Sequence, residues 1–149
     1  MEPLYIAQAG GMRRFKAILL GLLAMDAVLV VALLLLVNGV AAAVTGISLV
    51  ATVTVLLAIL PRRYEVWPDR LRIVFPIRGW DIRYEGIETV RAGRWYEAYG
   101  FAGLRFATAP SQTVTVLRHN ANLLTHPNLV ISPADRDEFL RQLERAMRE

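Results

Sequence analysis

Apolar residues run almost without interruption from Ala17 to Leu60 and then give way to a mostly polar chain. The run is broken only at Asn38-Gly39. Its halves, 17–37 and 40–60, read AILLGLLAMDAVLVVALLLLV and VAAAVTGISLVATVTVLLAIL. At about 1.5 Å of rise per residue, a helix of about 20 residues crosses a hydrocarbon core of about 30 Å. The pattern therefore predicts a transmembrane helical hairpin, preceded by a short arm over 1–16 and followed by a separate domain over 61–149.

After Pro61 the pattern changes to alternation, the signature of half-buried strands. Arg63 to Trp67 forms a first strand, and Pro68-Asp69 a turn. Leu71, Ile73 and Phe75 then share an apolar face while Arg70 and Arg72 point away. Ile77 to Tyr84 follows, with Ile82 and Tyr84 inward. A turn at Glu85-Gly86 leads to Ile87–Val90, and further strands are expected at Leu104–Thr108, Thr113–Arg118 and Leu123–Ile131. Pro110-Ser111 and His119-Asn120 supply turns. About seven short strands predict an antiparallel barrel or sandwich. One helix closes the chain: Ser132 reads as its N-cap, Pro133 as its first residue and Asp135 as the capping-box acid. Phe139, Leu140, Leu143, Ala146 and Met147 fall on one face, as expected of a lid over an open barrel end.

Charge orients the hairpin. Arg13, Arg14 and Lys16 precede the first helix, Arg62 and Arg63 follow the second, and the connecting turn Val37–Val40 is uncharged. Cations beside a span mark the cytoplasmic side, so both termini are expected there. Tyr64 and Trp67 lie where aromatic rings suit the headgroup layer, with Phe15 in that role at the first helix. A cleaved signal peptide fits poorly, because the first apolar segment exceeds a normal h-region and a second follows at once. Inside the hairpin, Asp26 comes level with about Ala51, near Ser48 and Thr52. A neutral carboxyl hydrogen-bonded to those hydroxyls is expected, with contact to another subunit as the alternative.

Composition narrows the chemistry. Between Pro61 and Glu149 there are 14 arginines against 11 acidic residues, interleaved, which describes a solvated surface rather than a nucleic-acid stripe. The absence of cysteine excludes disulfides and thiolate metal sites. His119 and His126 lack a third ligand at useful spacing. Gly100–Gly103 has neither the lysine nor the strand-to-helix setting of a phosphate loop. Ser111 and Ser132 lack a nucleophile elbow, and Asp135, Asp137 and Glu138 suit a helix N-terminus without catalysis. No cofactor is expected. One segment stands apart: Arg94-Trp95-Tyr96-Glu97-Ala98-Tyr99-Gly100-Phe101. Either its rings pack under the C-terminal helix, or Arg94, Trp95, Tyr96, Tyr99 and Phe101 form an exposed contact surface, since such residues dominate contact energetics.

The opening Tyr64-x-Val-x-Pro-Asp-Arg-Leu-Arg-Ile73, the segment Ile82-Arg-Tyr-Glu-Gly-Ile-Glu-Thr-Val90 and the ending Ile131-Ser-Pro-Ala-Asp-Arg-Asp-Glu-Phe-Leu140 resemble the bacterial pleckstrin-homology-like (PH-like) domains. These commonly stand behind a transmembrane hairpin. The resemblance implies a two-sheet barrel capped by a C-terminal helix, with no shared catalytic residues. The basic loop with which phosphoinositide-binding relatives hold their ligand corresponds here to Trp67-Pro68-Asp69-Arg70, a tight turn with one arginine beside an acid. The expectation is thus a non-enzymatic module anchored in the inner membrane, both termini cytoplasmic, binding a protein, peptide or lipid headgroup. The alternative is a structural or assembly subunit of a larger membrane complex.

Overall fold

The computed structural model describes residues 2–36, 39–99, 103–121 and 127–149. The chain divides into two compact units: Arg13–Ile59, and the residues up to Met12 together with Leu60–Glu149.

In the first unit, α1 (Met12–Leu36) and α2 (Gly39–Ile59) are both long and apolar enough to cross a membrane. Neither has an apolar stripe set against a polar one, because nearly every position is apolar. Only Leu19 and Ala42 are buried, while Leu35 and Leu36 are 79% and 83% exposed. A helix apolar all round needs an apolar surrounding on every side. The hydroxyls of Thr45, Thr52 and Thr54 donate to the carbonyls of Ala41, Ser48 and Val50, four residues back on the same helix. Thr52 therefore spends its proton on its own backbone, and Ser48 is exposed. The expected link from Asp26 to these hydroxyls does not form. Asp26 is half-buried and has no hydrogen-bond or ion-pair partner among the described residues. Of the turn expected over Val37–Val40, Val37 and Asn38 lie outside the described residues, and Gly39 and Val40 belong to α2.

Among the described residues, the second unit is built from eight strands and one helix. Strands β1 (Tyr5–Gln8), β2 (Arg63–Val66), β3 (Arg70–Val74) and β4 (Gly79–Arg83) form an antiparallel sheet in chain order. A 3-10 turn over Tyr84–Gly86 carries the chain to β5 (Ile87–Ala92). With β6 (Leu104–Phe106), β7 (Val114–Arg118) and β8 (Leu129–Ile131) this makes a second sheet in the order β5-β7-β8-β6. Helix α3 (Arg136–Ala146) packs against β5, β1 and β2 and buries Phe139, Leu143 and Ala146.

Four expectations change. First, the N-terminal arm is not separate: residues 5–8 pair with β2 in the register Tyr5↔Val66 to Gln8↔Arg63. The helical unit is thus inserted between two neighbouring strands. Second, among the described residues the strands do not close into a barrel: they form two separate sheets, with β1 and β4 as the edges of one and β5 and β6 as the edges of the other. The second sheet is also mixed, with β6 parallel to β8. Of the strand expected over Leu123–Ile131, Leu129–Ile131 is observed and 122–126 lies outside the described residues.

Third, Tyr64 belongs to the core rather than the headgroup layer. It is fully buried, its ring meets Phe139 edge-on at 6.1 Å, and its hydroxyl donates to the Phe106 carbonyl at 2.8 Å. The polar tip that suits an interface here finds its partner on the opposite sheet. Burial pushes this phenol well above its ordinary range. Fourth, Asp135 caps α3, its carboxylate accepting from the Glu138 N–H at 3.1 Å. Ser132 is fully buried and does other work: its hydroxyl oxygen accepts from the N–H groups of Thr108 and Ala109, holding the β6–β7 connection. Close by, Gly11 has a left-handed backbone (φ +69°), and a Cβ there would lie 2.6 Å from the Thr108 carbonyl oxygen. Only glycine fits where the chain passes that connection on its way to α1.

Candidate functional site

The first candidate grows out of the end of β5. A Cβ at Gly93 would stand 2.8 Å from the hydroxyls of Thr113 and Thr115, so the backbone runs tight across β7 before it leaves the sheet. It then forms a 3-10 turn over Trp95–Ala98. Glu97 pins this turn from inside. Its carboxylate accepts from the Arg91 guanidinium at 2.7 Å, from the Arg94 N–H at 3.3 Å and from the Thr115 hydroxyl. The Arg105 guanidinium donates to the Glu97 carbonyl at 3.0 Å. Burial alone would raise the Glu97 carboxyl; the bonds from Thr115, Arg91 and Arg94 outweigh it and hold the group below its ordinary value.

With Glu97 turned inward, its neighbours face solvent. Trp95 is 67% exposed, Tyr96 47% and Tyr99 66%. The Trp95 and Tyr96 rings meet edge-on at 6.0 Å, and the Arg94 guanidinium donates to the Tyr96 hydroxyl at 2.8 Å. The rings do not pack under α3. Phe101 lies outside the described residues. Rigid aromatics on a braced turn lose little conformational freedom when covered, which is what an energetic anchor requires.

The second candidate is an open groove of about 500 Å³ on the outer face of the first sheet, running from Trp67 along β2 and β3 to Ile77 in the β3–β4 turn. Residues 63, 65 and 67 alternate onto this face. Glu65 sits at its centre, only 5% exposed, accepting from the Arg63 guanidinium at 2.7 Å and the Trp67 indole at 3.0 Å. Arg63 and Trp67, expected as juxtamembrane anchors, are therefore committed to a carboxylate on the sheet. Sequence reasoning passed over Glu65, although the Arg-x-Glu-x-Trp spacing places all three on one side of a strand. Arg72 on the same face pairs with Asp81 at 3.1 Å.

The remaining expected anchors, Arg13, Arg14, Lys16 and Arg62, are exposed. His119 is exposed in its turn, and His126 lies outside the described residues. Among the described residues, no group of three or more His, Cys, Asp or Glu side chains is placed to hold a metal ion. In comparisons with known proteins, no family model, no curated protein and no solved structure matches the chain.

Proposed function

We propose that this chain is a non-enzymatic interaction module: a PH-like domain held at the cytoplasmic face of a bacterial inner membrane by α1 and α2, receiving a protein partner on the turn of Trp95, Tyr96 and Tyr99. The exposure of these three rings on a turn braced by Glu97 carries the reading. The anchoring rests on two helices of spanning length and apolarity. The β1–β2 pairing supports placing both ends of the hairpin on one side, since residues before α1 and after α2 share a sheet. The flanking cations favour the cytoplasm as that side.

The test is a photocrosslinking amino acid in place of Arg94 in the full chain, expressed in cells. A discrete crosslinked protein is expected, and the double substitution Trp95→Ser with Tyr99→Ser abolishes it. The unfolding midpoint of the detergent-solubilised chain should barely move, because exposed substitutions shift stability by under about 0.5 kcal/mol. Loss of folding in that variant, or crosslinking that ignores it, refutes the reading. Half-buried, unpartnered Asp26 favours a second reading, a subunit of a larger membrane complex that covers the helices. In that case a stoichiometric partner co-purifies in mild detergent and is released by Asp26→Leu rather than by the aromatic substitutions.

A further inference from the structure

The groove on the first sheet ends at the β3–β4 turn, where Phe75 N–H donates to the Arg78 carbonyl at 3.0 Å. The inner side of this turn is fixed. Phe75 meets Phe106 edge-on at 5.0 Å, and Trp80 meets the same ring at 6.1 Å. The outer side is bare. Ile77 is 80% exposed, between exposed Pro76 and exposed Arg78. A lone surface isoleucine is ordinary; what sets Ile77 apart is its place in the sheet.

The register Arg63↔Val74 and Val74↔Gly79 puts this turn at the end of the sheet that also carries Gln8 and Arg62. The Arg62 N–H donates to the Val74 carbonyl at 2.8 Å. From Gln8 the chain runs on to α1, and it reaches Arg62 directly after α2. So the same end of the sheet holds both connections to the apolar helices and an apolar tip. It also holds two exposed arginines, Arg62 and Arg78, neither of which forms an ion pair among the described residues. Of the sheet's other arginines, Arg63 is paired with Glu65, Arg70 with Asp69 and Asp81, and Arg72 with Asp81, while Arg83 stands unpaired among the described residues at the opposite end.

We infer that the β3–β4 turn is a bilayer-docking tip, with Ile77 seated among the headgroups of an anionic phospholipid surface and Arg62 and Arg78 on lipid phosphates. This rests on reading α1 and α2 as membrane-spanning, and adds a lipid contact distinct from the aromatic turn. A second copy of the chain is the poorer occupant, because a self-complementary contact here brings unpaired arginines together. An apolar side chain flanked by guanidiniums suits a negative lipid surface, with the cations in the phosphate layer and the aliphatic tip below it.

The natural chain has no cysteine, so single spin labels report cleanly. Full-length variants Ile77→Cys, Asp69→Cys at the opposite end of the sheet, and Leu29→Cys in α1 are labelled and reconstituted into vesicles. The vesicles are phosphatidylcholine, with or without phosphatidylglycerol. Collision with lipid-soluble oxygen is compared with collision with a water-soluble nickel chelate. With phosphatidylglycerol, the label at 77 should favour oxygen over nickel, as the label at 29 does and the label at 69 does not. Replacing Arg62 and Arg78 by Gln should lower the docked-to-undocked ratio by a factor of about five per arginine. High salt should act in the same direction.

A label at 77 as water-exposed as that at 69 overturns the docking tip while leaving the spanning helices intact, provided position 29 reads as lipid. Position 29 reading as water overturns both. A label at 77 shielded from both reagents indicates a protein contact and also overturns the proposal.

Discussion

The two units treat the same side chains in opposite ways. In the β unit Leu71, Leu129 and Leu143 are fully buried, whereas in α1 Leu35 and Leu36 are left almost bare. The β unit supplies its own apolar surrounding: strands from two sheets and the face of α3 converge on Tyr64 and Phe139. The helices supply almost none, and their threonines satisfy their hydroxyls internally. Apolarity in one unit is therefore a folding force, and in the other a demand on the environment.

The sharpest way to break this contrast is to remove the helices. Replacing Arg13–Ile59 by a short Gly/Ser linker leaves Gln8 and Arg63 free to pair as they do now. The product should be monomeric without detergent by size-exclusion chromatography and should keep its strand circular dichroism. A companion that also lacks the residues up to Met12 bares the edge of β2 and should aggregate. If the linker variant unfolds, the β unit is not self-sufficient.

A smaller effect separates the units by identical chemistry. Leu143→Ala should cost about 2–5 kcal/mol of β-unit stability, the range for a fully buried leucine. Leu35→Ala should shift it by under about 0.5 kcal/mol. Both are read from denaturant midpoints of the full chain in detergent by near-ultraviolet circular dichroism. Equal effects would dissolve the comparison.

The smallest effect is a pH slope confined to the β unit. Burial holds the Tyr64 phenol above its ordinary value of 10.0. A folded value above the unfolded one leaves stability intact below pH 10, and stability is lost as pH rises beyond it. The loss is at most about 1.4 kcal/mol per pH unit for one group. Tyr64→Phe should flatten that slope in an alkaline denaturation series. A residual slope should remain, because burial also raises Tyr84 and Tyr5.

What could be read beforehand follows the length of each signal. The two helices announce themselves over some twenty positions each. Strands β2 and β3 show as alternation around a Pro-Asp turn, and the buried face of α3 shows in the spacing of Phe139, Leu143 and Ala146. Strand β1 is four residues, Tyr-Ile-Ala-Gln, with no turn linking it to its partner, since that partner lies beyond both helices. Nothing local distinguishes it from an arm. Tyr64 was ambiguous for a physical reason: an aromatic ring with a polar tip just after an apolar helix suits a headgroup layer and a strand equally well. Only the distant Phe106 carbonyl decides it. Ser132 reads as a cap because three residues after it stands an acid, yet the helix begins only at Arg136, with Asp135 as its N-cap. The exposure of Trp95 and Tyr99 depends on Glu97 reaching Arg91 and Thr115, a contact invisible in the spacing of the segment itself.

The position of β1 also sets an order of events during synthesis. Its residues leave the ribosome ahead of both helices, but β2 emerges only after both have been made. The first sheet cannot be completed until then. A chain that threaded only one helix through the bilayer would strand β1 and β2 on opposite faces, and the sheet would never assemble. On the proposed reading of α1 and α2 as spanning helices, folding of the β unit would act as a checkpoint on insertion, because a finished first sheet requires the helical segment to go out and come back.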